Sequence, residues 1–200
     1  MSTEKRRYRL KARGDQQQAT RLRIIKATAA LHDEIGPART TVSEIARRAG
    51  VQRLTVYNHF PNEADLLDAC GAHWMAEHPL PDMSAAIAEP DAAERLRRVL
   101  TALYGWYREN KRSTEHLQRD RLLMPALDQL MSIRMDQEMA SLADLLAAGF
   151  TGSDHRAEVR ATVALALDFW SWRRLSHEGM TDEAVATIMT AAAKTISEGR

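Results

Sequence analysis

Apolar side chains recur every three or four residues along most of the chain, the spacing that one buried face of an α-helix requires. In the first such segment Ile24, Leu31 and Ile35 share a face. Gly, Pro or a capping side chain separates each segment from the next. No segment predicts a strand. The pattern predicts about nine helices, near residues 19–35, 41–49, 52–59, 62–77, 91–107, around His116, 122–146, 153–177 and 182–198.

The composition supports an all-α chain, because 32 Ala and 21 Leu stand against 7 Val and 8 Ile in 200 residues. A hydrophobic content of 44% with 28% charged residues excludes a disordered chain. The apolar run 161–167 is much shorter than the ~20 residues that a membrane span needs. The basic N-terminus has no secretory signal, and the lone Cys70 excludes a disulfide framework and a cysteine-based zinc site. We therefore expect a cytoplasmic protein without a membrane segment, metal or cofactor.

Charge is distributed unevenly along the chain. Residues 1–60 carry a net charge of +8, whereas residues 61–200 carry −7. A basic front of this kind can neutralise phosphates, and an acidic rear is repelled by them. Residues 1–17 show no apolar period and are predicted to form a flexible basic arm.

Two short helices, Thr41–Ala49 and Gln52–His59, are joined by Gly50 and predict a helix-turn-helix. In the first, the Thr41 hydroxyl can accept from the Glu44 amide while the Glu44 carboxylate reaches back. The second is narrow enough to enter a DNA major groove, and residues 51–60 hold one Arg, one His and no acid. Short helix pairs also occur in many all-α proteins that do not bind DNA. The DNA-binding interpretation therefore also depends on the basic residues that surround this pair.

Residues 24–67, with Ile-Ala-x-x-Ala-Gly-Val ending at Val51 and Tyr-x-His-Phe ending at Phe60, closely resemble the DNA-binding domain of the tetracycline-repressor (TetR) family. Residues 160–180 resemble the penultimate helix of many members more loosely. The resemblance implies a dimeric repressor with an N-terminal reader and a C-terminal effector pocket. The implied domains are the arm at 1–17, a DNA-binding domain at 18–62 and an effector-binding and dimerisation domain at 63–200.

The resemblance also implies DNA contacts. The base-reading positions are Gln52, Arg53, Leu54 and Thr55, with Arg53 suited to guanine and Gln52 to adenine. The phosphate-contacting positions are Thr40, Thr41, Tyr57 and His59. Two alternatives stay open: Tyr57 packs against the first helix, and His59 caps the end of its own helix.

Four positions depart from the family pattern. Gln52 stands where members usually have a small or polar cap residue, and Leu54 stands where they often have Gly. Glu63 stands where members commonly have a phosphate-binding Lys. The carboxylate of Glu63 is expected to weaken one backbone contact. His32 replaces a core aromatic residue, and we expect it to be half-buried and hydrogen-bonded.

The C-terminal half offers candidates for a pocket that accepts a small apolar or aromatic effector. A stripe of methionines along the predicted helix 122–146 suits a pocket of variable shape, although such a stripe also forms plain core. Aromatic residues from two other helices could supply walls, and His116 is the candidate polar group. The predicted ligand-binding residues are Trp106, Tyr107, His116, Met124, Met131, Met135, Phe169 and Trp170.

Small residues on the last two helices predict a homodimer interface, since they allow helices to approach closely. A two-fold dimer would place two reading helices about 34–36 Å apart on a palindromic operator. The predicted face comprises Ala161, Ala164, Asp168 and Leu175 on one helix, and Ala184, Ile188, Ala191, Ala192 and Thr195 on the other.

Two other functions are weighed against a ligand-released repressor. An all-α enzyme is disfavoured because no HExxH, CxxC or Gly-rich phosphate loop occurs, and we expect no enzymatic activity. An architectural DNA-binding protein without effector would be favoured by a filled core between residues 91 and 175.

Overall fold

The computed structural model describes residues 2–150 and 154–199, and every regular element within them is helical. The all-α fold class is therefore confirmed, with more helices than the sequence predicted. None of the described helices is both long enough and apolar enough to cross a bilayer. The helices are α1 (Ser2–Ile35), α2 (Val42–Ala49), α3 (Arg53–His59), α4 (Glu63–Glu77), α5 (Ser84–Ile87), α6 (Ala92–Glu109), α7 (Lys111–Asp120), α8 (Pro125–Met131), α9 (Gln137–Ala148), α10 (Arg156–Leu167), α11 (Phe169–His177) and α12 (Asp182–Ser197).

The described residues form two compact units. The N-terminal unit contains the residues up to His78 together with Glu115–Leu130, and the C-terminal unit contains Pro79–Thr114 and the residues from Met131 onward. This division differs from the predicted boundary at residue 62, because α4 packs with α1. The buried core that α4 shares with α1, α2 and α3 comprises Ile24, Ile25, Ala27, Leu31, Ile45, Ala46, Ala49, Val56, Phe60, Leu66 and Cys70.

Helix α1 begins at Ser2, so residues 2–17 are helical rather than the flexible arm that the sequence predicted. The segment lacks an apolar face, and this absence led to the wrong prediction. It is rich in Arg, Lys and Gln, which are good helix formers. Because the packed part of α1 already supplies the helix nucleus, adding further turns costs little.

The C-terminal unit is built around α6, which packs on α12 and α10. Leu96, Val99 and Leu100 of α6 are fully buried. The sequence predicted one helix over 153–177, but the backbone is extended at Asp168 (ψ 134°) and divides it into α10 and α11. The Asp168 carboxylate accepts from the Ser171 amide at 2.9 Å and so caps α11.

Two further stretches differ from the sequence prediction. The predicted helix 122–146 is divided into α8 and α9 by a π-helical turn at Ser132–Asp136. Pro125 does begin α8, as expected from its fixed φ angle. The predicted polar break at 110–114 is mostly helical, since the Asn110 carbonyl accepts from the Thr114 amide at 3.0 Å and α7 starts at once.

Candidate nucleic-acid interface

Helix α2 begins and ends where the sequence indicated. The Thr41 hydroxyl oxygen accepts from the Glu44 amide at 3.2 Å, and Gly50 ends the helix in the left-handed conformation at φ 66°. The other half of the predicted capping box does not form. Instead, the Glu44 carboxylate accepts from Arg47 Nε at 2.9 Å, and this hydrogen bond lowers the pKa of Glu44.

Helix α3 presents its predicted base-reading positions on the surface. The side chains of Gln52 and Arg53 are exposed, Leu54 is 66% exposed, and Thr55 is half-buried. Val56 is only 1% exposed and anchors the opposite face in the core. The helix therefore holds a polar edge outward while its apolar edge fixes the orientation.

Arg53 differs from the two arginines of α2. Arg47 is paired with Glu44, and Arg48 Nη1 lies 2.7 Å from Glu34 Oε1. Among the described residues, no hydrogen-bond or ion-pair partner engages the Arg53 guanidinium. Its five donors are available for an external acceptor such as a guanine edge.

The two predicted phosphate contacts before α2 are not equivalent. The Thr40 hydroxyl donates to the Gly36 carbonyl at 2.9 Å, and the Thr40 amide donates to the Pro37 carbonyl at 3.0 Å. Both donors of Thr40 are thus used inside the turn, which argues against the expected hydroxyl and amide contacts. Thr41 is exposed, and its hydroxyl oxygen accepts from the Glu44 amide. The hydroxyl proton can therefore still be donated to an acceptor outside the chain.

Tyr57 and His59 lie near the C-terminal end of α3. Tyr57 is 46% exposed, and its ring also lines a cavity of about 140 Å³ within the N-terminal unit. His59 is half-buried in a shallow concavity shared with Gln17 and Arg21 of α1.

The sequence analysis missed the contribution of α1 to this surface. Gln17, Gln18 and Arg21 line the same concavity as Thr55 and His59. The Arg21 guanidinium lies 4.7 Å from the centre of the Phe60 ring, a cation–π contact that fixes its position. The available signal was the i, i+4 spacing of polar residues 17 and 21, which places both on one face of α1.

His32 has the surroundings that the sequence predicted. It is half-buried, and its Nδ1 atom lies 3.5 Å from the Cys70 sulfur. Burial lowers its pKa from 6.5 to about 4, against a weaker opposing effect from Asp120. The imidazole is therefore neutral at neutral pH.

The eight predicted ligand-binding residues fall in two different units. His116 and Met124 belong to the N-terminal unit, where His116 Nδ1 lies 3.3 Å from the His32 carbonyl oxygen and Met124 lines the cavity beside Tyr57. The expected meeting of His116 with the aromatic residues in one unit is not observed. The other six residues are Trp106, Tyr107, Met131, Met135, Phe169 and Trp170.

Three of these six form a packed aromatic cluster in the C-terminal unit. The ring centres of Trp106 and Tyr107 are 5.9 Å apart, and those of Tyr107 and Phe169 are 5.4 Å apart. All three side chains are at most 7% exposed, whereas Trp170 is 43% exposed. Met131 is buried and Met135 is half-buried. The aromatic residues thus fill space within this unit.

The aromatic cluster is organised by polar contacts that the sequence did not reveal. The Tyr104 and Tyr107 hydroxyls each donate at 2.8 Å to carbonyls freed by the helix break, those of Ala166 and Leu167. Trp172 Nε1 donates to Asp182 at 2.9 Å. Trp172, which the sequence analysis did not single out, is therefore central to the cluster.

The predicted dimer face contains no buried residue. Ala161, Ile188 and Ala191 are exposed, and so is Leu165, which the sequence analysis did not place there. The break at Asp168 places Leu175 on α11 instead of on the helix that carries Ala161. Of the nine predicted residues, Asp168 and Thr195 are also exposed, and Ala164, Leu175, Ala184 and Ala192 are half-buried.

Comparison with known proteins finds a family model that matches the segment containing the helix-turn-helix. The family model for bacterial regulatory proteins of the tetR family matches residues 24–70, which contain α2, α3 and the residues that flank them. This segment of the chain resembles the tetR family. No group of three His, Cys, Asp or Glu side chains that could hold a metal ion occurs among the described residues.

Relatives extend the tetR-family match. The chain is 35% identical over 92 residues to the HTH-type transcriptional regulator TtgR of Pseudomonas putida, an alignment covering 45% of this chain and 43% of TtgR. The chain thus spans less than half the length of the curated relative that it matches.

Solved structures resemble the whole fold. A TetR-like transcriptional regulator from Rhodococcus sp. RHA1 is 18% identical, with 90% of this chain and 97% of that chain covered and a TM-score of 0.61. A TetR-family transcriptional regulator from Syntrophomonas wolfei is also 18% identical, with coverage of 91% and 96% and a TM-score of 0.62. At this identity the likeness concerns the fold.

Proposed function

We propose that the chain is a sequence-specific DNA-binding transcriptional regulator that represses by binding a palindromic operator as a dimer. The observation that carries this proposal is the acid-free surface of α3, where Arg53 and Gln52 are exposed and unpaired beside the capped N-terminus of α2. The curated relative TtgR is itself named an HTH-type transcriptional regulator.

The residues have separate roles in this proposal. Arg53 reads a guanine through two parallel hydrogen bonds, Gln52 reads an adenine, and Leu54 or Thr55 contacts a thymine methyl group. Thr41 and the first amides of α2 bind one phosphate. Tyr57 and His59 bind another part of the backbone. Thr40 is not assigned a phosphate, because its donors are engaged within the turn.

Selection of bound duplexes from a random DNA pool, at a stated salt concentration, tests the DNA-reading role. With Arg53→Ala, we expect the preference at one symmetric pair of base positions to relax by roughly 1–3 kcal/mol. Arg174→Ala is the matched control, since it removes the same charge from an exposed position on α11. A uniform loss across all sequences would identify Arg53 as a phosphate contact, and no enrichment by the unaltered chain would refute the function.

The dimer is proposed to form through α10 and α12. Leu165 is 56% exposed and Ile188 is 46% exposed, and the small exposed residues Ala161 and Ala191 permit close helix approach. Sedimentation analysis of Ile188→Glu tests this interface: we expect monomers and weaker DNA binding. Leu145→Glu, at a 44% exposed position of α9, is the control that should stay dimeric.

A small apolar or aromatic effector is proposed to lower the DNA affinity. Such a molecule must bind the DNA-free conformation more tightly than the DNA-bound one. The aromatic side chains near Tyr107 and Phe169 support this chemistry. A compound panel screened by tryptophan fluorescence, followed by DNA-release measurements on each hit, tests it. Hits that bind without changing DNA affinity would argue against an effector role.

The tight packing of the aromatic cluster also favours a second candidate, an architectural DNA-binding protein without effector. Phe169 is 2% exposed and Trp172 is 1% exposed, so both rings are buried against their neighbours in this unit. This candidate requires that no compound alters DNA affinity and that selected duplexes show little base preference. Strong preference at symmetric positions would exclude it.

A further inference from the structure

The last turn of α7 packs against the turn that joins α1 to α2, and both belong to the N-terminal unit. His116 Nδ1 lies 3.3 Å from the His32 carbonyl oxygen, and Asp120 Oδ2 accepts from the Ala38 amide at 3.0 Å. The two side chains are four residues apart and thus share one face of α7. This face meets the end of α1 and the start of the 3₁₀ helix Pro37–Arg39.

Asp120 is held as a buried, ionised group. Its side chain is 1% exposed, and its Oδ1 atom accepts from Arg119 Nε at 2.6 Å. Burial by itself would raise the pKa of Asp120, but the hydrogen bonds from Arg119 and the Ala38 amide hold it below the usual value. The first amides of a helix have no acceptor within the helix. The Asp120 carboxylate is the acceptor for one of them, the Ala38 amide.

The contact is also sterically tight. Gly36 has φ +91°, and the Cβ atom of any other residue at this position would clash with Asp120 Oδ2. Only glycine fits this backbone so close to the carboxylate. Asp120 therefore contacts the turn both through the Ala38 amide and through the face of Gly36.

The same turn leads directly to the proposed phosphate-binding end of α2. Gly36 provides the carbonyl that accepts from the Thr40 hydroxyl, and Pro37 provides the one that accepts from the Thr40 amide. Thr41 follows and caps α2. A displacement of the turn at Ala38 would therefore also displace Thr40, which is bound to the turn by these two hydrogen bonds and precedes the N-cap Thr41.

We propose that Asp120 is a positioning residue for DNA binding, which acts through the Ala38 amide to set the direction in which the N-terminus of α2 faces phosphate. The inference rests on the proposed function. It assigns a role in DNA binding to Asp120, which lies 61 positions beyond the end of α3, without a direct contact between Asp120 and DNA.

Asp120→Ala and Asp120→Asn in the full chain test this role. The matched control is Asp128→Ala, which removes an exposed carboxylate that pairs with Arg121 in the same unit. The first measurement is hydrogen exchange of the Ala38 amide without DNA. The second is affinity for a duplex selected by the unaltered chain, with active molecules counted by stoichiometric titration.

For Asp120→Ala we expect Ala38 exchange to accelerate and DNA affinity to fall, each roughly tenfold. Asp120→Asn keeps an oxygen acceptor and should recover part of both. The base preference of the selected DNA should stay unchanged, since α3 is not altered. Asp128→Ala should stay within about twofold of the unaltered chain in both measurements.

The outcomes separate this proposal from the proposed function. If the unaltered chain selects DNA but Asp120→Ala binds it within twofold of Asp128→Ala, the positioning role is refuted and the function stands. If the unaltered chain selects no duplex, both are refuted. If Asp120→Ala does not fold, Asp120→Asn decides: faster Ala38 exchange with lower affinity supports the role, and unchanged affinity overturns it.

Discussion

The two units of the chain use similar polar side chains for opposite purposes. In the N-terminal unit Tyr57 and Arg53 face outward on α3. In the C-terminal unit the Tyr107 hydroxyl and Trp172 Nε1 face inward and satisfy buried acceptors, the Leu167 carbonyl and Asp182. A tyrosine is thus exposed where α3 is packed along one edge only, and another tyrosine makes a buried hydrogen bond where helices enclose it. Substitutions matched across the two units test this contrast.

The largest expected effect is on the stability of the C-terminal unit. Trp172→Ala removes a side chain that is 1% exposed and should lower the free energy of unfolding by about 3–5 kcal/mol. Trp170→Ala, two residues away and 43% exposed, should cost less than about 1 kcal/mol. Urea denaturation of both variants measures the difference, and equal losses would contradict the packed arrangement of the cluster.

The next largest effect should be a loss of stability of the N-terminal unit at low pH. Burial lowers the pKa of His32 to about 4, whereas the unfolded chain titrates near 6.5. Between these values the unfolded state binds more protons, so stability falls as the pH falls. From pH 7 to pH 5 this group should remove about 2 kcal/mol from the N-terminal unit.

Urea denaturation at the two pH values, with and without His32→Phe, measures this contribution. The variant should lose the dependence on pH that His32 contributes. The described histidines of the C-terminal unit, His155 and His177, are exposed, so His177→Gln should leave the dependence intact. A pH dependence that survives in His32→Phe would contradict the assignment.

Removal of one hydroxyl should have opposite results in the two units. Tyr107→Phe leaves the buried Leu167 carbonyl without its donor and should cost about 1–2 kcal/mol of stability, with DNA affinity unchanged. Tyr57→Phe should leave stability within about 0.5 kcal/mol and weaken DNA binding by about tenfold. Thermal denaturation and DNA titration of both variants test the pair; the reverse result would remove the contrast between the units.

The smallest expected effect concerns a residue that works against the interface. Glu63 is exposed in the first turn of α4, where the Asn62 side chain caps the helix by accepting from the Asp65 amide at 2.8 Å. Glu63→Lys should raise DNA affinity about threefold and steepen its salt dependence by about one unit per protomer. Glu77→Lys makes the same charge change at the far end of α4. Equal gains in the two variants would indicate a general charge effect.

The helix-turn-helix was predictable because its determinants are local. Thr41 and Gly50 fix the ends of α2 by the chemistry of single residues, and the apolar spacing around Val56 fixes which side of α3 is buried. Local signals also located the start of α8 at Pro125 and the cap of α4 at Asn62.

The candidate ligand site was harder to predict because its residues are distant in sequence. The methionine stripe assumed one unbroken helix over 122–146, and the π-helical turn at Ser132–Asp136 breaks the register on which the stripe depended. His116 was grouped with the aromatic residues on chemistry alone, but it lies with His32 in the N-terminal unit. Hydrogen bonds across 84 positions leave no periodic trace in a sequence.

Amino-acid order alone settled the helical class of this protein, the ends of the short helices and the exposed edge of α3, since each follows from backbone preference and spacing within about ten residues. Tertiary packing decided which distant groups meet. Asp120 reaches the Ala38 amide, and Tyr107 reaches a carbonyl released at Asp168. A buried polar group must find a partner wherever the fold places one, and that location is a property of the assembled core.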